Sequence, residues 1–566
     1  MTHLRRFVLL ACLIPGTALA QTKSTQDGKL TAEKLFAPGH LVRVDIEIPE
    51  KDWDELRSQT RTFGKAITQK AVTSPYKYHK GNVTIDGVRI EGVGIRKKGF
   101  IGSLDRHRPS LKIKFGEFKK QDPAVGFDRL TLNNNKQDRS QVSQVLALKL
   151  FRDAGSPASR CNFAKVTVNG RPLGIYSNVE SIKPPFLKRQ FGDSSGNLYE
   201  GTITDFFVAG LAKFQLKTSK TTLGPVKRVA EILAKEEVSL DELEKVLDID
   251  AFLKFWAVES LTGFWDGYTN NQNNFFLYQN PKNSKLYFLP WGVDSAFVAT
   301  MPLPPYVIKT KAVHSQATLP NLLYQIPAIQ KRYRVTLEGL LKTVWNEEKL
   351  GAELDQMEAL VMEHVSDLQR NPAEALKKVR GFIRTRRRIM ERSLRNWPVK
   401  LTTGPRALIY FEKVGSATAK FSTTYRESSP TNSGKAVMEL ILDGKKVTFK
   451  SVGVKSERST WPTIDGGPKP PTIVLTGERA SDGKLFFLAV STAIKEFCPS
   501  KGQGVTVQGV LIEGRTGFLN PKGFKMVSGE AKLEVAGMSS GAEVRGEMTV
   551  EITTMKGGEA PPLKFR

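Results

Sequence analysis

The chain has 566 residues, of which 40% are apolar and 9% aromatic. That is too long for one hydrophobic core, so two or three domains are expected, with an ordinary globular composition. The formal net charge of +28 points to anionic partners (a nucleotide, an acidic protein, a phosphorylated lipid, a cell-wall polymer or nucleic acid) without choosing among them.

The N-terminus reads "MTHLRRFVLLACLIPGTALAQ". Arg5 and Arg6 form a positive n-region, Phe7 to Leu19 is a short apolar run, and Ala18-Leu19-Ala20 fits the small-x-small cleavage rule. This pattern predicts a signal peptide over residues 1–20 and export to the periplasm, the medium or the cell surface. A lipoprotein reading through Cys12 leaves too short an apolar segment before the cysteine. No later segment has the roughly 20 apolar residues of a membrane span. The mature chain keeps Cys161 and Cys498. A disulfide between them would suit an oxidising compartment, but two cysteines do not make a scaffold. Zinc-type cysteine clusters and H-x-x-x-H pairs are missing from the sequence, which argues against a zinc hydrolase.

Residues 21–40 are polar and read as a linker. "LVRVDIEI" from Leu41 alternates as a half-buried strand, and Pro49 opens a short helix. "GNVTIDGVRIEGVGIR" and "SLKIKF" are strand-like, with Asp86-Gly87 as a hairpin turn. The next helix has Asp138 or Ser140 as its cap, Val142, Val145, Leu146 and Leu150 on one face, and Gly155 at its end. "AKVTVNGRPLGIYSNVE" is a second hairpin about Asn169-Gly170. Leu240 to Gly263 is helical and apolar nearly all round, and residues 320–397 are helical again until Pro398. The five arginines between Arg380 and Arg388 read as a solvated face or an anion-binding surface. From Lys400 onward, short strands with glycine-rich turns predict a separate β-sandwich-like domain over 400–566.

One stretch stands apart: "DGYTNNQNNFFLY", from Asp266 to Tyr278. It sets a polar loop before a strand, a turn and a second strand, "LYFLPW", and "GVDSAF" follows. Asp266, Asn271 five positions later, a hairpin and then Asp294 form an order with a physical logic. In the protein-kinase template a loop aspartate orients the substrate hydroxyl, an asparagine five residues on holds Mg²⁺, and an aspartate after a hairpin bridges metal and phosphates. Carboxylate and amide oxygens are the hard ligands Mg²⁺ takes. The plainer reading, turn capping around a buried hairpin, is better on this spacing alone, because D-x-x-x-x-N is common by chance.

Further motifs surround it: "GIRKKG" with "RPSLKIKF", "LNNNKQDRSQVSQVLALKLFRDAGSPA", "VTVNGRPLGIYSNVESIKPPFLKRQFGDSSGNLYEG" and "LYFLPWGVDSAF". Together and in this order, the chain from about Leu41 to Trp397 resembles the CotH kinase family of secreted, spore-coat-type atypical kinases. The resemblance implies an α+β chain: a diverged protein-kinase-like domain over residues 41–398, followed by the β-sandwich-like domain. It implies Asp266 in the catalytic loop, and Asn271 (with Asn274 as second candidate) and Asp294 as metal ligands. Arg96, Lys112 and Lys114 would meet nucleotide phosphates, and Glu180 would pair with a strand lysine. ATP and Mg²⁺ or Mn²⁺ would be the cofactors. Many family members carry two acids in P-W-D-x-D, whereas this chain has Gly292 in place of the first.

Three functions are therefore weighed. The first is an exported kinase acting on serine or threonine of a secreted or surface protein. The second is a weak or inactive kinase-like binder of anionic surface polymer or matrix protein. The third, a nucleic-acid binder, rests on charge alone and ranks last, since the basic runs lack interleaved aromatic platforms.

Overall fold

The structure is a computed structural model that describes residues 29–557 apart from 62–66, 68–69, 72–73, 219, 304–305, 402, 429–430, 460–466, 498–503 and 515–523. The expected signal peptide and Cys498 lie outside the described residues. Cys161 is buried and has no disulfide partner among the described residues.

Seven strands close a barrel: β1 Leu41–Glu47, β2 His79–Ile85, β3 Val88–Lys97, β4 Leu111–Lys114, β5 Arg129–Asn133, β6 Cys161–Val168 and β7 Arg171–Val179, in the order β1-β2-β3-β4-β5-β7-β6. Closure comes from parallel pairing of β1 with β6, Leu41 opposite Phe163. Alternation drives it: Val42, Val44 and Ile46 are buried while Arg43, Asp45 and Glu47 face out. Both hairpins turn where expected, with positive φ at Asp86 and Gly87 and at Asn169 and Gly170, as two-residue turns of this hand require. Part of the expected linker is packed. Leu30–Thr31 pairs with Ala124–Val125, and Ala32, Leu35 and Phe36 join the barrel core.

A second body is built around helices. α1 (Ser143–Asp153) has Val142 as its N-cap residue, so neither Asp138 nor Ser140 caps it in the expected way; Asp138 Oδ2, from further back in the loop, still accepts from the Ser143 N–H at 2.7 Å and satisfies one first-turn donor. It packs on α2 (Ile249–Leu261) and on the turn Val293–Ser295. β8 (Leu198–Gly201), β9 (Phe275–Gln279) and β10 (Leu286–Pro290) form most of a small antiparallel sheet. The "FFLY" strand is buried because Tyr268, just before it, stacks into an aromatic cluster, 4.6 Å from Phe275 and 4.8 Å from Phe288. Such pairs add about 0.5–1.5 kcal/mol each beyond area burial, enough to fix the loop between Asp266 and β9.

Helices Pro327–Thr343, Glu347–His364 and Ala373–Arg395 complete this body. Three of the five arginines are staples within it and do not form an anion-binding surface. Arg386 is buried and donates to Leu261 O at 3.1 Å and Thr310 O at 3.0 Å. Arg380 pairs with Asp355 and Glu358, and Arg387 with Glu347.

Beyond the helices, the all-β region expected after residue 400 forms one continuous sheet of nine strands. Its first strand, Ile409–Arg426, pairs with the last, Glu543–Gly557, and also with Gly434–Leu442. The sheet thus curls back on itself around its own apolar core, in keeping with a barrel- or sandwich-like body.

Candidate active site

Glu259 lies in the last turn of α2 and is fully buried. Its Oε1 accepts from the Tyr268 N–H at 2.9 Å and its Oε2 from the Thr269 N–H at 2.8 Å. These are the first N–H groups of the short helix Tyr268–Asn271, which would otherwise lack partners. The expected plain loop is therefore a capped helical turn. Gly267 permits the close approach: a Cβ there would lie 2.3 Å from Glu259 Oε1. Burial pushes Glu259 up to about 7 against the pull of its donors.

Asp266 stands just before this turn, with only 9% of its surface exposed. Its Oδ1 accepts from Asn271 Nδ2 at 2.5 Å and Asn273 Nδ2 at 3.1 Å, and its Oδ2 from Asn274 Nδ2 at 2.8 Å. The crowded amides are a cradle. They hold the carboxylate by dipoles without placing a counter-charge on it. Burial raises the Asp266 pKa, while the three amides and the charge of Arg406 pull it down.

The chain returns through β9 and β10. Gly292 then takes φ +55, and a 3-10 turn over Val293–Ser295 presents Asp294. Asp294 is buried, and Asn133 Nδ2 donates to its Oδ2 at 3.3 Å. Burial and the nearby charge of Asp138 push Asp294 up to about 7; Asn133 and Lys98 act against this, and Asp266 adds to it. The "LNNN" segment is thus more than a turn. Asn133 joins β5 to the Asp294 turn, and Asn134 and Asn135 are buried beside it.

The barrel supplies positive charge. Arg96 on β3 stands opposite Lys112 on β4, and Lys114 is opposite Gly94. β4 is an interior strand of a closed barrel, so its lysines do not guard a sheet edge. Burial takes Lys112 well below the usual lysine range, with the charge of Arg96 adding to it. Lys114 is paired with Glu117 at 2.6 Å. Sequence reasoning passed over Lys98, just past β3. Burial lowers it to about 8, while Asp294 and Glu200 both favour its charged form. Glu200, on β8, pairs with Lys217 at 2.5 Å and also feels Lys112 and Lys183. Strand alternation was the available signal for Lys98. Lys97 points inward, fully buried, with Nζ on Arg57 O at 2.8 Å, which leaves Arg96 and Lys98 to share the other side.

Two expectations change. Glu180 does not meet a strand lysine: it is buried between Arg160 at 2.9 Å and Arg189 at 2.5 Å, which saturate it. The acid that faces the barrel lysines is Glu200. Asn271 does not offer its amide oxygen to a cation, because Oδ1 accepts from Arg406 Nη1 and the backbone oxygen from Arg406 Nη2 at 2.6 Å. Asn274 is the candidate left for that place. Its Nδ2 is spent on Asp266, and its Oδ1 lies 2.8 Å from where a Gly292 Cβ would be, with no donor to it among the described residues.

These donors fit a divalent cation. Among the described residues, Asp294 carries a single long hydrogen bond, Asn274 Oδ1 faces the same turn, and Ser295 Oγ is buried without a partner. Asp138 and Asp266 raise the proton affinity of Asp294, a cost that a bound cation would relieve.

The family model described as CotH kinase protein matches residues 88–390, a little over half of the chain. The chain belongs to the CotH kinase protein family. Spore coat protein homolog 1 of Rhizopus delemar is 23% identical over 239 residues, 39% of each chain. Invasin CotH3 of the same organism is 24% identical over 193 residues, 31% of this chain and 32% of that one. Inner spore coat protein H of Bacillus subtilis is 22% identical over 239 residues, 39% of this chain and 65% of that one. The matches thus span about two fifths or less of the fungal relatives. Among solved structures, the Helicobacter pylori proinflammatory kinase CtkA aligns with 52% of this chain and 92% of its own at 11% identity, with a TM-score of 0.28; a likeness that slight carries no argument. The CotH segment contains Arg96, Lys98, Lys112, Glu200, Asp266 and Asp294, and it ends before Arg406.

Proposed function

We propose that this CotH protein is an exported atypical kinase that transfers the ATP γ-phosphate to serine or threonine hydroxyls of extracytoplasmic proteins. One observation carries the reading: an amide-cradled Asp266 and an under-bonded Asp294 share a buried site with barrel residues Lys98 and Lys112. Asp294 and Asn274 Oδ1 would hold Mg²⁺ or Mn²⁺, which when bound supplies charge neutralisation for the phosphates. Lys98, Lys112 and Arg96 would orient the phosphate oxygens, with Glu200 keeping Lys98 charged. A carboxylate has about four lone-pair sites, and the amides occupy three on Asp266. The one left would accept the acceptor hydroxyl and aim it. Catalysis is then positioning and charge stabilisation. The expected signal peptide supports export, and spore-coat and invasin names among the relatives are in keeping with a surface setting.

A second reading follows from Gly292. If the position of the first acid is essential, the protein is a weak or inactive kinase-like binder of anionic surface polymer or matrix protein. Labelled ATP with Mg²⁺ and a generic acidic acceptor separates the two. Wild type should transfer label to itself or to the acceptor, and Asp266→Ala and Asp294→Ala should each lose about a hundredfold or more. No transfer by wild type, or equal transfer by Asp294→Ala, favours the binder.

A further inference from the structure

The segment joining the helical body to the C-terminal sheet lies outside the CotH segment, yet it is stitched to the site. Asn321 Nδ2 donates to Thr403 O at 3.2 Å, and the Arg406 N–H donates to Gln316 O at 2.7 Å. Leu408 is buried, 2.8 Å from where a Gly210 Cβ would be. Lys213 Nζ donates to Ile409 O at 2.8 Å. Ile409 is already the first residue of the long strand that opens the nine-stranded sheet.

In the middle of this seam, Arg406 spends its guanidinium on the catalytic loop. Nη1 and Nη2 go to the side chain and backbone oxygens of Asn271, and Nε to Gln272 Oε1 at 3.1 Å. Gln272 answers by donating from Nε2 to Arg406 O at 2.9 Å. A planar fork that grips three oxygens fixes orientation as a lysine cannot. With its oxygen held by Arg406, Asn271 can turn only its Nδ2 towards Asp266. Without that grip the amide is free to flip and present an acceptor to the carboxylate.

We infer that Arg406 is a positioning residue for the phosphotransfer site: the connector to the C-terminal sheet sets the Asn271 amide, and through it the orientation of Asp266. Arg406 does not touch substrate in this scheme. The C-terminal sheet becomes part of the active site's framework by way of this residue. The phosphotransfer part rests on the kinase reading above; the loop-holding part does not.

Full-length Arg406→Ala and Arg406→Lys test it with two independent readouts. The first is hydrogen exchange of residues 266–274 without nucleotide, which should speed up clearly in Arg406→Ala and less in Arg406→Lys, while the barrel strands stay unchanged. The second is steady-state transfer. kcat should fall by about 10- to 100-fold, as for lost outer-shell partners, with KM for ATP held, because the phosphate contacts come from the barrel. Asn271→Ala should lose much of its own effect in the Arg406→Ala background, because the two act as one unit. Unchanged loop exchange in Arg406→Ala overturns the inference whatever the activity. A rise in KM alone, with kcat held, also overturns it. Faster loop exchange in a protein that transfers no phosphate leaves the loop-holding role standing and removes the kinase reading.

Discussion

Gly292 replaces an acid, and its surroundings say what the exchange permits. Its φ of +55 lies in the left-handed region, which aspartate and asparagine tolerate better than other side chains. The nearest obstacle to a Cβ is the Asn274 amide oxygen at 2.8 Å, on a side chain whose Nδ2 is held by Asp266 at 2.8 Å, so a side chain at 292 displaces part of the cradle. The glycine therefore makes room for an amide oxygen where an acid would stand. Gly292→Asp should lower unfolding free energy in urea by about 1–3 kcal/mol, from the left-handed backbone and the displaced Asn274 amide. It should tighten Mg²⁺ binding in a thermal-shift titration, since a second carboxylate adds a charged hard ligand. A large loss of stability with no gain in metal binding would show that the backbone itself needs glycine.

At the scale of elements, the turn between α2 and β9 is held by a buried acid. Glu259 has its folded pKa raised from an ordinary value near 4.5 to about 7. A raised carboxyl contributes stability that is fully present below its unfolded pKa and is lost as pH rises through the folded one. Between those limits the folded state holds a proton that the unfolded state has released. In the metal-free protein, stability should therefore fall across that window, with a contribution from Glu259 of up to about 1.4 kcal/mol per pH unit. Glu259→Gln should flatten the slope relative to wild type and cost about 1–3 kcal/mol at acid pH, because one amide hydrogen now faces a backbone donor. Urea midpoints at several pH values check both; an unchanged slope contradicts the assignment.

The same elements show what could be read in advance. Period-2 alternation and the Asp86-Gly87 and Asn169-Gly170 turns mark the barrel strands, because such patterns are local. The hairpin after the asparagines was legible for the same reason, whereas the cap of α1 was not, since Val142 stands at the N-cap. Partners were not. Glu180 is claimed by two arginines, and Asn271 by a residue 135 positions away, choices that depend on the assembled fold. Lys98 escaped because it sits just past its strand, and Glu200 because nothing in "NLYEG" distinguishes it from a surface acid until Lys112 and Lys98 are brought opposite.

At the scale of the molecule, the site is a junction. Lys98 and Lys112 come from the barrel, and Asp266, Asp294 and the three amides that cradle Asp266 from the helical body. A ligand that engages both should tie them together and raise the stability of the whole. Mg²⁺ and ATP at about 100 times the dissociation constant should add roughly 2.7 kcal/mol, seen as a rise in unfolding temperature. Lys98→Ala should forfeit most of that rise. Equal shifts in both proteins would place the nucleotide elsewhere.

The curled nine-stranded sheet has a consequence for life at high local density. Among the described residues its free side ends in Lys445–Val447, a strand of three residues that begins with two lysines. A short, charged margin is a poor template for another chain to add to, and the seven-stranded barrel has no margin at all. Copies of this protein brought side by side can touch through the side chains of the barrel and the nine-stranded sheet while those two backbones stay closed to one another.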